Sequence, residues 1–200
     1  MVVAGIKSRP VYAPLTARPG LLHLIVANDE GALAAVDLAA AAPDGFLART
    51  RIIYVPGGSA GADHGARLAA LGAAAFSDVA SDSVAIAALR DALAGAPMGT
   101  QVYAAGTENL IGQVVETALA AGLELGAIGA EHRGSLERRV QCVHCKAITE
   151  HVRTQPVTCI GCGRALLVRD HFSRRIGAFQ GVSIDAEEPG TVPPSRELFA

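Results

Sequence analysis

Tryptophan is absent from this chain, and aromatic side chains make up only 4% of its 200 residues. Proteins that grip single-stranded nucleic acid by stacking bases on rings need exposed aromatics, so the composition argues against that class. Long apolar runs are missing too: the longest, Leu21 to Ala27, falls far short of the ~20 residues of a membrane-spanning helix. Met1 to Pro19 carries Lys7 and Arg9, is broken by Pro10 and Pro14, and has no apolar core of the export-signal kind. The chain is therefore expected in the cytoplasm. Cysteine occurs only at Cys142, Cys145, Cys159 and Cys162. Clustered pairs in a chain without an export signal point to a metal site rather than to disulfides.

Half of the residues are apolar, enough to bury one ordinary core or two small ones. Alanine (39) and glycine (22) dominate, so the core has to be built from thin helices lying close on a sheet. The net charge of −2 hides a division. Residues 1–130 carry 7 basic and 11 acidic side chains, residues 131–175 carry 9 and 4, and residues 176–200 carry 1 and 4. Four thiolates on a divalent cation would lower the basic block by two charges, leaving a modest patch suited to an acidic protein surface as well as to phosphate.

The apolar run from Leu21 reads as a strand feeding an alanine-rich helix, on which Leu33, Val36 and Ala40 have helical spacing. Arg51 to Val55 reads as a second strand, followed by the loop Pro56-Gly57-Gly58-Ser59-Ala60-Gly61 and a helix from Asp63 to Leu71. Ala73 to Phe76 is a third strand, and Ser81 caps a helix carrying the stripe Ile86, Leu89 and Leu93. Thr100 to Ala105 is a fourth strand. Thr107 then caps a helix whose Ile111, Val114, Val115 and Ala118 share a face, and Ala127 to Glu131 is a fifth strand. Strands alternating with helices over short connections imply an α/β fold, a parallel, doubly wound five-stranded sheet with helices on both faces. The expected organisation is an N-terminal extension (1–20), an α/β domain (21–131), a linker (132–139), a small Cys₄ zinc-ribbon domain (140–186) and a C-terminal tail (187–200). That tail, with Pro189, Gly190, Pro193 and Pro194, is expected to wrap the surface or to wait for a partner.

Cys142-Val143-His144-Cys145 and Cys159-Ile160-Gly161-Cys162-Gly163 are two CxxC pairs. The two-residue gap lets both sulfurs of a pair face one point while backbone amides turn toward them, and Gly163 permits the tight knuckle. Four thiolates form a closed tetrahedral shell suited to Zn²⁺, whose role is then structural; the same set holds iron in rubredoxin-like carriers. Lys146 to Thr158, with Ile148, Val152 and Val157, is expected to form a hairpin between the pairs. His144 reads as a surface residue, and His23 and His151 as satisfied structural histidines.

The order and spacing of Leu21–Ala27, Ile52–Ser59, Gln101–Thr107 and Ile128–Glu131 resemble the NAD-binding domain of ferredoxin reductase-like oxidoreductases. The resemblance also shows what is missing. The glycine-rich turn after the first strand is replaced by Ala27-Asn28-Asp29-Glu30, whose carboxylates repel a pyrophosphate. Gly58 stands where that family has an arginine, and Ala105-Gly106-Thr107 replaces its Cys-Gly-Pro turn, keeping only Gly106. The resemblance thus implies a fold retained as a docking platform, with no cofactor-binding residue assigned.

The cysteine pairs followed by Val168-Arg-Asp-His-Phe-Ser-Arg-Arg-Ile-Gly-Ala-Phe-Gln-Gly181 resemble the C-terminal domain of the DmmA-type subunits of dimethylamine monooxygenase. That resemblance implies an accessory subunit of an NAD(P)H- and O₂-dependent complex that converts dimethylamine to methylamine and formaldehyde, with haem, flavin and a [2Fe–2S] cluster on companion chains. The expected metal ligands are Cys142, Cys145, Cys159 and Cys162. Arg169, His171, Phe172, Arg174, Arg175 and Phe179 are expected to dock a partner subunit, since arginine forks and phenylalanines are typical interface anchors. No catalytic residue is expected on this chain. Two other readings stand beside it, a rubredoxin-like iron carrier and a zinc-ribbon nucleic-acid binder using the arginines of the basic block. The pI of about 6.3 and the large acidic domain oppose the second.

Overall fold

A computed structural model describes residues 9–57 and 64–199. Gly58, Ser59, Ala60, Gly61 and Asp63, which carry most of the expected loop and the start of the second helix, lie outside the described residues. The described residues fall into two compact units, 12–134 and 135–199 with 9–11.

In the first unit β1 (Leu22–Asn28), β2 (Thr50–Val55), β3 (Ala75–Asp78), β4 (Thr100–Gly106) and β5 (Ile128–His132) form one sheet in the order β3-β2-β1-β4-β5. Every pairing is parallel, with Ile25 of β1 opposite Ile52 of β2 and Tyr103 of β4. A strand buried on both faces sends alternate side chains into two cores. Leu24 and Val26 enter the core under α3 (Asp82–Ala94) and α4 (Glu108–Ala120). Ile25 and Ala27 enter the core under α1 (Gly31–Ala41) and α2 (His64–Ala69). The expected caps form: Ser81 Oγ accepts from the Val84 N–H at 3.4 Å and Thr107 Oγ1 from the Leu110 N–H at 3.3 Å.

Three details of this unit are set by its packing. The third strand runs two residues later than its apolar run, because Arg51 to Tyr54 of β2 pair with Ala75 to Asp78. On α1 the buried face is Gly31, Ala34, Ala35 and Leu38, while Leu33 and Val36 are only partly buried and Ala40 is exposed. Close approach selects the glycine: a Cβ on Gly31 would lie 2.2 Å from the Ala105 carbonyl oxygen. Residues 12–20 are not an appendage to this unit. Leu15 is in the core, its N–H donates to Glu131 Oε2 at 2.7 Å, and the Arg18 N–H donates to the Tyr103 hydroxyl at 3.0 Å.

The second unit is a sheet in the order β7-β6-β11-β10-β9, from β6 (Arg138–Cys142), β7 (Ile148–Val152), β9 (Val157–Thr158), β10 (Ala165–Ser173) and β11 (Ala178–Ser183). Its strands begin at Arg138, inside the stretch expected to be a linker, and Glu137 and Arg138 are buried. The expected hairpin within 146–158 does not form. β7 pairs back on β6 and β9 pairs with β10, at opposite edges of the sheet, because each strand takes its partner from beside its own knuckle. The tail returns as β12 (Arg196–Glu197), which pairs with β8 (Thr154–Gln155) and delivers Phe199 to the core. There the Arg138 guanidinium lies 4.1 Å from the Phe179 ring centre and 4.2 Å from that of Phe199, and it bonds Asp170 at 2.8 Å. Two ring faces and one carboxylate compensate a nearly buried cation. No described helix is long and apolar enough to cross a membrane.

Candidate metal centre and the closed crevice of the sheet

Each knuckle is built by a repeated backbone pattern. The Cys142 N–H donates to the Ala147 carbonyl at 2.9 Å and the Lys146 N–H to the Cys142 carbonyl at 3.0 Å. In the second knuckle the Cys159 N–H donates to Arg164 at 2.9 Å and the Gly163 N–H to Cys159 at 3.0 Å. Lys146 and Gly163 both adopt positive φ, which turns the chain sharply after the second cysteine of each pair.

These turns bring all four sulfurs within 4.8 Å of one another. Cys142 and Cys162 are 3.8 Å apart and Cys145 and Cys159 3.5 Å, each contact joining one knuckle to the other. Sulfurs around a tetrahedral ion with bonds of ~2.3 Å stand ~3.8 Å apart, whereas a disulfide needs ~2.05 Å. The donor set therefore fits a metal ion. Further support comes from Gly161, where a Cβ would lie 2.6 Å from Ala147 Cβ and 3.1 Å from Cys145 Sγ, so the knuckle closes only around a glycine. Burial opposes ionisation of Cys159, but the Cys162 and Gly161 N–H groups overcome it and hold the thiol down to about 7. At Cys145 the Ala147 N–H favours the thiolate, yet burial and the neighbouring cysteines prevail and push it up to about 11. A cation replaces the protons that these groups otherwise share.

The remaining candidates separate by exposure. Arg169, His171, Arg174 and Arg175 are exposed, Phe172 is half-buried, and Phe179 is 1% exposed. Phe179 packs edge-on against Phe172 at 5.0 Å and under Arg138, so its role is internal and it leaves the docking set. The basic block is sorted likewise: Arg138 pairs with Asp170, Arg139 with Glu150 and Arg153 with Glu137. His144 is exposed, 3.5 Å from Arg164, and His151 bonds Glu137 at 2.8 Å. His23 is buried 4.3 Å from the Phe46 ring, and burial, with Arg49 adding to it, lowers its pKa. His64 is buried, and its neighbour Asp63 is outside the described residues.

A doubly wound sheet binds dinucleotides where β1 and β4 part company, at their carboxyl ends. Here that point is filled by the chain itself. The Thr107 N–H donates to Asn28 Oδ1 at 3.0 Å, and Asn28 Nδ2 donates to Thr107 Oγ1 and Asp82 Oδ1, each at 3.2 Å. A Cβ on Gly106 would lie 1.9 Å from Asn28 Oδ1, so this glycine is retained to admit the asparagine. The Asp29 carboxylate packs on Gly57, where a Cβ would lie 2.1 Å from its Cγ. The Thr107 amide at the start of α4 is thus engaged by Asn28, and the carboxylates of Asp29 and Glu30 follow β1 where a pyrophosphate would have to approach. The asparagine was legible only as part of an altered turn; its partner Thr107 lies 79 residues away in sequence.

Comparison with known proteins matches residues 4–128 to the family "Dimethylamine monooxygenase subunit DmmA-like, N-terminal domain" and residues 139–182 to the C-terminal domain of the same description. The chain is 36% identical over 101 residues to the heme-dependent oxidative N-demethylase delta subunit of Ectopseudomonas mendocina (strain ymp). That alignment takes in 50% of this chain and 58% of the relative's length. Among solved structures, the ferredoxin reductase in carbazole 1,9a-dioxygenase (FAD apo form) is 19% identical with a TM-score of 0.39, covering 57% of this chain and 34% of its own. An intact type IV self-sufficient cytochrome P450 monooxygenase is 22% identical with a TM-score of 0.43, covering 62% and 17%. With the N-terminal model alone spanning more than half of the sequence and the C-terminal model spanning all four clustered cysteines, the chain belongs to the DmmA-like family of dimethylamine monooxygenase subunits.

Proposed function

We propose that this chain is a cytoplasmic accessory subunit of a haem-dependent oxidative N-demethylase, one that assembles the complex or positions its electron-transferring chains and does not catalyse alone. The observation that carries the reading is the pair of consecutive family matches, supported by the relative named as a delta subunit. The reaction is the demethylation of dimethylamine to methylamine and formaldehyde, in which one atom of O₂ enters formaldehyde and the other leaves as water, with NAD(P)H supplying two electrons. The four cysteines form a single cluster, so haem, flavin and a [2Fe–2S] cluster are assigned to companion chains and zinc to Cys142, Cys145, Cys159 and Cys162. Zinc supplies no chemistry to substrate from a closed Cys₄ shell; it sets the geometry of the two knuckles.

The closed crevice at Asn28 supports a platform role for the α/β unit. Arg169, His171, Arg174 and Arg175, with Phe172 beneath, are the proposed docking residues of β10 and the turn after it. Neither His171 nor any of the three arginines forms an ion pair with a described residue. Pairing of Arg138, Arg139 and Arg153 with carboxylates leaves fewer free cations for phosphate, which disfavours the nucleic-acid reading.

Co-expression of the chain with the haem and flavin subunits of such a demethylase tests the proposal. A stoichiometric complex is expected, releasing formaldehyde from dimethylamine with NAD(P)H. A complex that is equally active when this chain is omitted contradicts it.

A further inference from the structure

Among the described residues the second unit holds six of the ten exposed large apolar side chains, and two of these occupy equivalent positions. Val143 and Ile160 each follow the first cysteine of their pair and are 37% and 76% exposed. The sulfurs on either side of them converge within 4.8 Å, so both tips stand over one centre. Each is carried on a turn held by two backbone hydrogen bonds and, once metal is bound, by two ligands. A rigid apolar tip loses little conformational freedom on burial, which is the property of an interface anchor.

The rim is cationic. Lys146, Arg164 and His144 are exposed, and no carboxylate lies in either knuckle segment, 142–147 or 158–165. Lys146 Nζ reaches the Val143 carbonyl at 2.8 Å and Arg164 reaches His144 at 3.5 Å, so both charges are gathered at the first tip. Asp185 feels Arg164, but its carboxylate already accepts from Ser183 at 2.7 Å and Gly190 at 3.1 Å. Thiolates and a divalent ion would place two negative charges deeper, around the buried Cys142 and Cys159, and an approaching surface meets the cations first.

We propose that the two knuckle tips form a docking face for a companion protein of the demethylase, one presenting an apolar pocket rimmed by carboxylates. Ile160 enters the pocket, Val143 lies at its lip, and Lys146 and Arg164 set the register. This face is separate from the arginines of β10, and it rests on the reading of the chain as a subunit.

Isothermal titration of the metal-loaded chain with the purified companion subunits tests it. Ile160→Glu is expected to weaken binding by about 30-fold or more, the loss typical of a central anchor. Arg164→Glu is expected to weaken it about 3- to 10-fold, with the gap to wild type narrowing as salt rises. Both variants should retain one metal ion per chain, since neither side chain is a ligand. In the wild-type complex, hydrogen exchange should slow at 143–144 and 160–161. Tight wild-type binding that Ile160→Glu leaves unchanged, or protection confined to other segments, overturns the docking face alone. Absence of any wild-type binding overturns the subunit reading and this face with it.

Discussion

Lys146 and Gly163 occupy the same place in the two knuckles, one residue past the second cysteine, at φ values of 65° and 72°. The amide of each donates at 3.0 Å to the carbonyl of the first cysteine of its own pair. A side chain at such an angle costs ~1–2 kcal/mol, a cost that the first knuckle carries and the second avoids. Gly163→Ala should therefore destabilise the metal-loaded second unit by ~1–2 kcal/mol, whereas Lys146→Gly should be at least as stable as wild type. Denaturant unfolding of the metal-loaded protein measures both; equal losses at the two positions contradict the equivalence.

A metal ion bound by the four sulfurs would join strands that are far apart in sequence around a small core. Chelation, or Cys142→Ser, should unfold residues 135–199 cooperatively and leave the α/β unit folded, as read by amide exchange along the chain. Elemental analysis should find one zinc per chain in a colourless protein. A red protein that bleaches with reductant indicates iron and the electron-carrier reading instead.

Asn28 joins β1 to Thr107 at the start of α4 and to Asp82 at the start of α3. Asn28→Ala removes three hydrogen bonds and leaves the buried Thr107 amide without its acceptor, so a loss of ~2–3 kcal/mol is expected in the α/β unit. Gly106→Ala should cost more, since its Cβ meets the asparagine oxygen at 1.9 Å and its φ is 133°. Titration with NADPH should give no binding to the isolated wild-type chain at millimolar concentration; saturable binding there contradicts a closed crevice.

His23 is buried beside Phe46, and its pKa lies below 6.5 through desolvation first and the Arg49 charge second. The unfolded chain therefore binds a proton at a pH where the folded chain does not. Stability contributed by the neutral ring is present above pH ~6.5 and falls as pH drops toward the lowered folded value, by at most ~1.4 kcal/mol per unit. His23→Phe should remove that slope. Comparing the unfolding midpoints of wild type and variant between pH 5 and 7.5 checks it, because titration elsewhere in the chain is common to both.

How far each feature could be read in advance follows from how local its cause is. The caps at Ser81 and Thr107 and the stripes on α3 and α4 follow from neighbours within a turn or two of helix. The helical spacing of Leu33, Val36 and Ala40 does not mark the buried face of α1, because alanine serves either side of a helix. Close approach to the Ala105 carbonyl, not hydrophobicity, selects Gly31. The strand partners of 146–158 were misjudged for a related reason: proximity in sequence suggests a hairpin, yet β6 and β10 offer each strand a longer edge.

By itself the sequence determined the alternation of strand and helix, the closure of each knuckle and the identity of the four sulfur donors, because these depend on periodicity and on spacing within a few residues. Only the tertiary structure decided that the Asn28 amide fills the crevice, that Phe179 and Phe199 enclose Arg138, and that Val143 and Ile160 are left in solvent. Those outcomes depend on groups brought together from distant parts of the chain, where burial and hydrogen-bond competition are settled by packing that no local pattern encodes.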